Sequence, residues 1–81
     1  MDAYDWLISR QATERFFQFR PEERRKLLGH FEKLVANVHV EPAACFIGSS
    51  GEKFAIGTLD KHVITYHVDH AVKLARIIAI E

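Results

Sequence analysis

The sequence predicts an α+β domain, because two stretches of helical periodicity are followed by three stretches of strand-like alternation joined by connections of two or three residues. A short apolar start at 4–8 adds a strand before the helices. With 81 residues the chain is expected to be one small domain, 1–81, which buries roughly 60% of the surface its unfolded form exposes. Apolar residues make up 48% and charged residues 27%, the balance of a globular chain rather than a disordered one.

At the start, Tyr4, Trp6 and Ile8 alternate with Asp5 and Leu7, a strand pattern rich in β-favouring aromatics. Ser9 is placed to cap a helix over Arg10 to Phe19, where Ala12, Phe16 and Phe19 form one apolar stripe. Arg20-Pro21 ends it, and Pro21 suits the first position of a second helix, with Glu22 and Glu23 opposing the helix dipole. Leu27, Leu28, Phe31, Leu34, Val35 and Val38 hold helical spacing from there. Gly29 costs about 1 kcal/mol of propensity relative to alanine, which suggests close packing rather than a helix end. Phe16 and Phe19 are expected in the core, and Phe17 facing a partner.

Asn37 to Ala44 contains Glu41-Pro42 and reads as a connection. Cys45-Phe46-Ile47 is a short extended piece before the turn Gly48-Ser49-Ser50-Gly51. Three strands follow at Lys53 to Leu59, His62 to Val68 and Lys73 to Ile80, with Asp60-Lys61 and Asp69-His70-Ala71 as turns. Turns this short make the neighbours antiparallel. Alternation places His62, Ile64, Tyr66 and Val68 on the face under the helices, and Val63, Thr65 and His67 on the other. In the last strand Leu74, Arg76, Ile78 and Ile80 share a face opposite Lys73, Ala75, Ile77 and Ala79. Both faces are apolar, as expected of an interior strand or an interface.

Net charge is zero, from eleven basic and eleven acidic residues, which argues against strong sequence-blind binding to nucleic acid. A local basic cluster at Arg20, Arg24, Arg25 and Lys26 stays open to such contact. No stretch approaches the roughly 20 apolar residues of a membrane span, and the first residues lack a signal-peptide pattern, so the expected location is the cytoplasm, with no membrane contact. The single Cys45 is expected to be a packed or half-packed thiol. His67, His70 and Asp69 lack a second ligand pair at zinc spacing, so no metal and no cofactor is expected.

The run Tyr4-x-Trp6-x-Ile8-Ser9-x-x-Ala12, the helix from Pro21 through Leu27, Leu28, Phe31 and Leu34, and the closing Ile64-Thr65-Tyr66-His67-Val68-Asp69 and Ala75-Arg76-Ile77-Ile78-Ala79-Ile80 together resemble the RelE/ParE toxin superfamily. Tyr66 is the sharpest mark of that resemblance, which covers nearly the whole chain. It implies an N-terminal strand, a two-helix hairpin and a three-stranded antiparallel meander. It also implies the toxin component of a bacterial or archaeal type II toxin–antitoxin pair, with an antitoxin protein as partner. RelE-like members are metal-independent endoribonucleases (mRNA interferases) acting at the ribosome; ParE-like members poison DNA gyrase. Where the cleaving members place an arginine three residues before the tyrosine, this chain has Val63. Their basic and aromatic groups after the last strand are missing as well, since that strand runs to Ile80.

Cleavage by attack of a ribose 2′-hydroxyl on its own phosphate needs a base, a cation for the developing charge and an acid for the leaving oxygen. The residues available for that chemistry are His67, Lys61, Arg76 and Tyr66, with Lys53, His62, Lys73, Arg24 and Arg25 for substrate binding. His67 heads them, because an unperturbed histidine titrates near neutrality. The alternatives left open are a gyrase-directed toxin, and a catalytically inert interaction module of the same fold binding an antitoxin-like peptide or a second copy of itself as a homodimer.

Overall fold

A computed structural model describes residues 3–42 and 44–81. Among these the chain forms β1 (Asp5–Ile8), α1 (Arg10–Phe16), α2 (Pro21–Ala36), β2 (Ala44–Ile47), β3 (Lys53–Leu59), β4 (His62–Asp69) and β5 (Leu74–Ile80). The α+β class is as the sequence predicts, but the sheet is larger. Its five strands lie in the order β1-β5-β4-β3-β2. β2 joins β3 and extends the meander to four antiparallel strands, and β1 pairs in parallel with β5.

Ser9 is the N-cap of α1, its Oγ accepting from Ala12 N at 3.1 Å. The helix stops at Phe16, short of the expected Phe19. Gln18 N–H and Phe19 N–H turn back to Arg15 O and Phe16 O in i→i+3 bonds, and Pro21 holds Arg20 extended at φ −69°, ψ 156°. Phe16 and Phe19 still pack against the core, while Phe17 is 66% exposed. Pro21 opens α2 as expected, with Glu22 and Glu23 in its first turn. Val38 falls beyond the end of α2 at Ala36, and Leu28 lies on the exposed side. Gly29 makes no close packing, since a Cβ there would meet nothing within 4 Å.

The two helices cover one face of the sheet. Leu27 and Phe31 on α2 and Ala12 on α1 meet Ile64, Ile77 and Ile80 in a cluster of essentially zero exposure, with Trp6, Ile8, Leu59 and Tyr66 packed around it. Trp6 lies 5.0 Å from the Phe31 ring and donates its indole N–H to Glu32 Oε1 at 3.0 Å, so one side chain both packs and anchors the first strand.

β5 departs from simple alternation. Thr65 pairs with Ala79 but Tyr66 pairs with Ile77, so Ile78 is an extra residue in a β-bulge. The buried set is therefore Ala75, Ile77 and Ile80, and the expected grouping of Ile80 with Leu74, Arg76 and Ile78 is corrected. The start of α1 satisfies the bulged backbone: Ser9 Oγ donates to Ile78 O at 2.7 Å and Ser9 N to Ile77 O at 2.8 Å. Ser9→Ala removes both the cap and the Oγ bond to Ile78 O, while the backbone bond to Ile77 O stays. We expect a loss of about 1–2 kcal/mol, read as a lower urea midpoint at unchanged slope.

The β4–β5 turn also differs. β4 continues to Asp69, Lys73 leaves the last strand and adopts φ 55°, and the loop spans 70–73. At the β3–β4 turn Asp60 takes φ 55°. Cys45 is exposed on β2 rather than packed, because β2 is an edge strand open to solvent along its length.

Candidate functional site

The sheet face away from the helices is open, and cross-strand register aligns one row of side chains over it. His67 on β4 stands opposite Arg76 on β5, and Arg76 is in turn the parallel partner of Leu7 on β1. Facing residues on paired strands share a sheet face. On the other side of His67 its ring lies 5.8 Å from Phe54 on β3, and Phe54 stacks at 5.2 Å on its partner Phe46 on β2. The row runs aromatic, aromatic, imidazole, guanidinium, aliphatic, and ends in Phe46 (46% exposed) and Leu7 (55% exposed).

The imidazole is held in one tautomer. His67 Nδ1 lies 3.0 Å from Lys53 O, and a carbonyl can only accept, so Nδ1 carries the hydrogen. In the neutral ring Nε2 then keeps its lone pair and can take a proton from a substrate hydroxyl. Arg76 donates from Nη1 to Asp69 Oδ2 at 3.2 Å, a pair across the β4–β5 turn. That hydrogen bond, with backbone N–H donors from Ala71 and Val72, holds the Asp69 carboxyl below the usual carboxylate range. A folded-state pKa below the unfolded one gives stability that is present above the unfolded value and lost as pH falls through the folded one. An NMR titration of the Asp69 carboxyl should therefore show a midpoint below that of an ordinary aspartate, moving up in Arg76→Ala.

Of the residues singled out in the sequence, the fold brings together on the open face His67 and Arg76. Lys61 lies exposed in the β3–β4 turn, and His62 is five residues from His67, about 17 Å along the strand. His62 is also occupied: its Nε2 lies 3.1 Å from Glu23 Oε2 and its ring 4.6 Å from that of Phe19, tying β4 to the start of α2. Arg24 and Arg25 belong to α2 on the covered side of the sheet, with the Arg24 guanidinium 6.0 Å from the Phe17 ring. Lys73 is held in the turn, its carbonyl accepting from Asp5 N at 3.1 Å.

Tyr66 and Lys53 lie on the face opposite His67. Tyr66 packs against the core and burial raises its hydroxyl pKa; Lys53 Nζ stands 3.8 Å from Glu41 Oε1. There they border a cleft formed with the second half of α2 and the connection that follows it. The sequence reading missed His30, Lys33 and His39 in this cleft. The signal that could have found two of them is their spacing: His30, Lys33 and Asn37 run beside the apolar stripe of α2 at i, i+3 and i+7. Among the described residues no cluster of three or more metal-binding side chains occurs, and no helix is long and apolar enough to cross a membrane.

No protein-family model matches the chain, and no curated protein matches it in sequence. In structure, the whole chain superimposes on 94% of a chain in the crystal structure of the archaeal RelE–RelB complex from Pyrococcus horikoshii OT3, with a TM-score of 0.74 and 15% sequence identity. At that identity the likeness establishes the fold: two helices against a five-stranded sheet in the RelE-like arrangement.

Proposed function

We propose that this chain is the toxin-like member of a type II toxin–antitoxin pair, acting on RNA from the open face of its sheet and silenced by an antitoxin that covers that face. The RelE-like fold supports the class, and the His67–Arg76 juxtaposition carries the chemistry. His67 Nε2 takes the proton of a ribose 2′-hydroxyl, whose oxygen attacks the adjacent phosphorus. Arg76 stabilises the charge that gathers on the phosphate oxygens. The bond to the 5′-oxygen breaks, and that oxygen leaves with a proton from water. Phe54 and Phe46 extend the row as a stacking platform for the flanking bases, a sequence-tolerant mode worth about 1–3 kcal/mol per base.

The Asp69–Arg76 ion pair favours one other reading. A guanidinium already partnered by a carboxylate is a weaker phosphate clamp, and the exposed aromatic row would then serve an inert interaction module. Tightly controlled induction in a bacterial host, with amino-acid and thymidine incorporation followed together, separates the two. An early fall in amino-acid incorporation is the expected result and points to translation. An earlier fall in thymidine incorporation redirects the reading to gyrase, and normal growth with soluble, folded protein sinks the toxin.

A further inference from the structure

On the helix side of the sheet, the cleft bordered by Tyr66 and Lys53, which reaches His67 but not Arg76, has a volume of about 580 Å³. That lies within the roughly 300–1,000 Å³ of small-molecule sites. Its floor is opened by Gly57, whose missing Cβ would stand 3.6 Å from both His30 Nε2 and Tyr66 Cε1. The two rings thus flank a gap with no side chain between them. Neither the His30 imidazole nor the Tyr66 hydroxyl has a hydrogen-bond partner among the described residues, and the Lys33 ammonium has no ion pair there. Lys53, paired with Glu41, stands four residues along β3 from Gly57, at the other end of the cleft.

These groups are donors. Desolvation, followed by the nearby Lys33 charge, lowers the His30 pKa and keeps the ring neutral at pH 7, with one N–H to give. Burial keeps the Tyr66 hydroxyl protonated. One ammonium, a phenol and an imidazole N–H, with no carboxylate among them, match one for one the three terminal oxygens of a phosphate monoester. The remainder of the cleft is different in kind. Leu34, Val38, Val40 and Val68 give an apolar wall, and at its end the His39 and His70 rings stack at 5.5 Å with 14° between planes. That wall suits a flat, weakly polar body.

We infer that this cleft binds a phosphate monoester carrying a planar ring, a nucleoside monophosphate, either free or as the 5′ end of an RNA strand. The phosphate sits among Lys33, His30 and Tyr66, and the base lies along the apolar wall toward His39 and His70. The side chains assigned to the phosphate, Lys33, His30 and Tyr66, take no part in the open-face chemistry, although His67 also borders the cleft.

Calorimetric titration of the full chain with 5′-AMP, adenosine and inorganic phosphate tests it. AMP should bind at least about tenfold more tightly than either fragment, and Lys33→Ala should weaken AMP by about tenfold or more, the scale of one charged hydrogen bond. Tyr66→Phe, which keeps the packing and removes only the hydroxyl, should weaken it by a smaller factor. Circular dichroism melts of both variants confirm that the fold is retained. A 5′-phosphorylated trinucleotide that binds more tightly than AMP assigns the site to an RNA end; equal or weaker binding assigns it to the free nucleotide. AMP binding that is absent at millimolar concentration, or unchanged in folded Lys33→Ala, overturns the inference. Lys33→Ala should leave the effect of induction on growth intact and Arg76→Ala should leave AMP binding intact, so the failure of either reading is visible by itself.

Discussion

Phe31→Ala should cost the chain a large part of its stability. The ring is fully buried at the centre of the cluster joining α2 to β1, β4 and β5, and it carries Trp6 against its edge. Truncating a buried phenylalanine costs about 3–5 kcal/mol in transfer free energy and cavity. A domain of 81 residues holds only about 4–12 kcal/mol in total, so the loss takes a large part of what exists. The expected melting temperature falls by at least about 12 °C, and Trp6 fluorescence should report the same transition. Phe17→Ala is the control on the same hydrophobic scale. Phe17 is largely exposed, and its truncation should change stability by no more than about 0.5 kcal/mol. Equal effects from the two substitutions would contradict the packing described.

His67→Ala should abolish the effect of induced expression while leaving the fold unchanged. General-base catalysis contributes about 100- to 10,000-fold, and His67 is the imidazole held with Nε2 open on the exposed face. Its neighbours explain why the fold should survive. The ring makes one hydrogen bond, to a backbone carbonyl, and sits outside the buried cluster. A useful second variant is Asp69→Asn, which removes the charge that neutralises Arg76. RNA affinity should then rise, with a steeper dependence on salt as one more cation becomes available to phosphate. Unchanged incorporation profiles in His67→Ala would remove this mechanism and leave the open face as a binding surface only.

Periodicity was enough to locate both helices, the three long strands and the hydrophobic stripe through Leu27 and Phe31, because local spacing and burial agree there. Three features lay outside its reach. The extra residue at Ile78 is invisible in an apolar run, where Ile77, Ile78, Ala79 and Ile80 are equally at home on either face. The β4–β5 loop was read as Asp69-His70-Ala71, which would align His67 with Lys73; the longer loop with Lys73 at positive φ moves Arg76 into that place instead. The helix-side cleft depends on contacts between α2, its following connection and two strands, and no single segment announces it. His67 and Arg76 could each be picked out by chemistry, but their being neighbours is a property of register.

The parallel pairing of β1 with β5 has a consequence for the order in which the chain can fold. β1 precedes the other elements and β5 follows them, so the first strand has no partner until the last one has been made. Ile77 and Ile80, two of the fully or nearly fully buried side chains, arrive with β5 as well. A nascent chain lacking β5 has helices over a cluster short of Ile77 and Ile80, and two strands, β1 and β4, with newly open edges. Contacts this distant in sequence slow folding through loop-closure entropy. The open-face row shares that delay, because Arg76 is itself on β5 and the His67–Arg76 pair does not exist before the final strand docks. Under the proposed toxin role, the chain would therefore stay harmless during its own synthesis, and docking of β5 would be the late step at which a partner could intercept it.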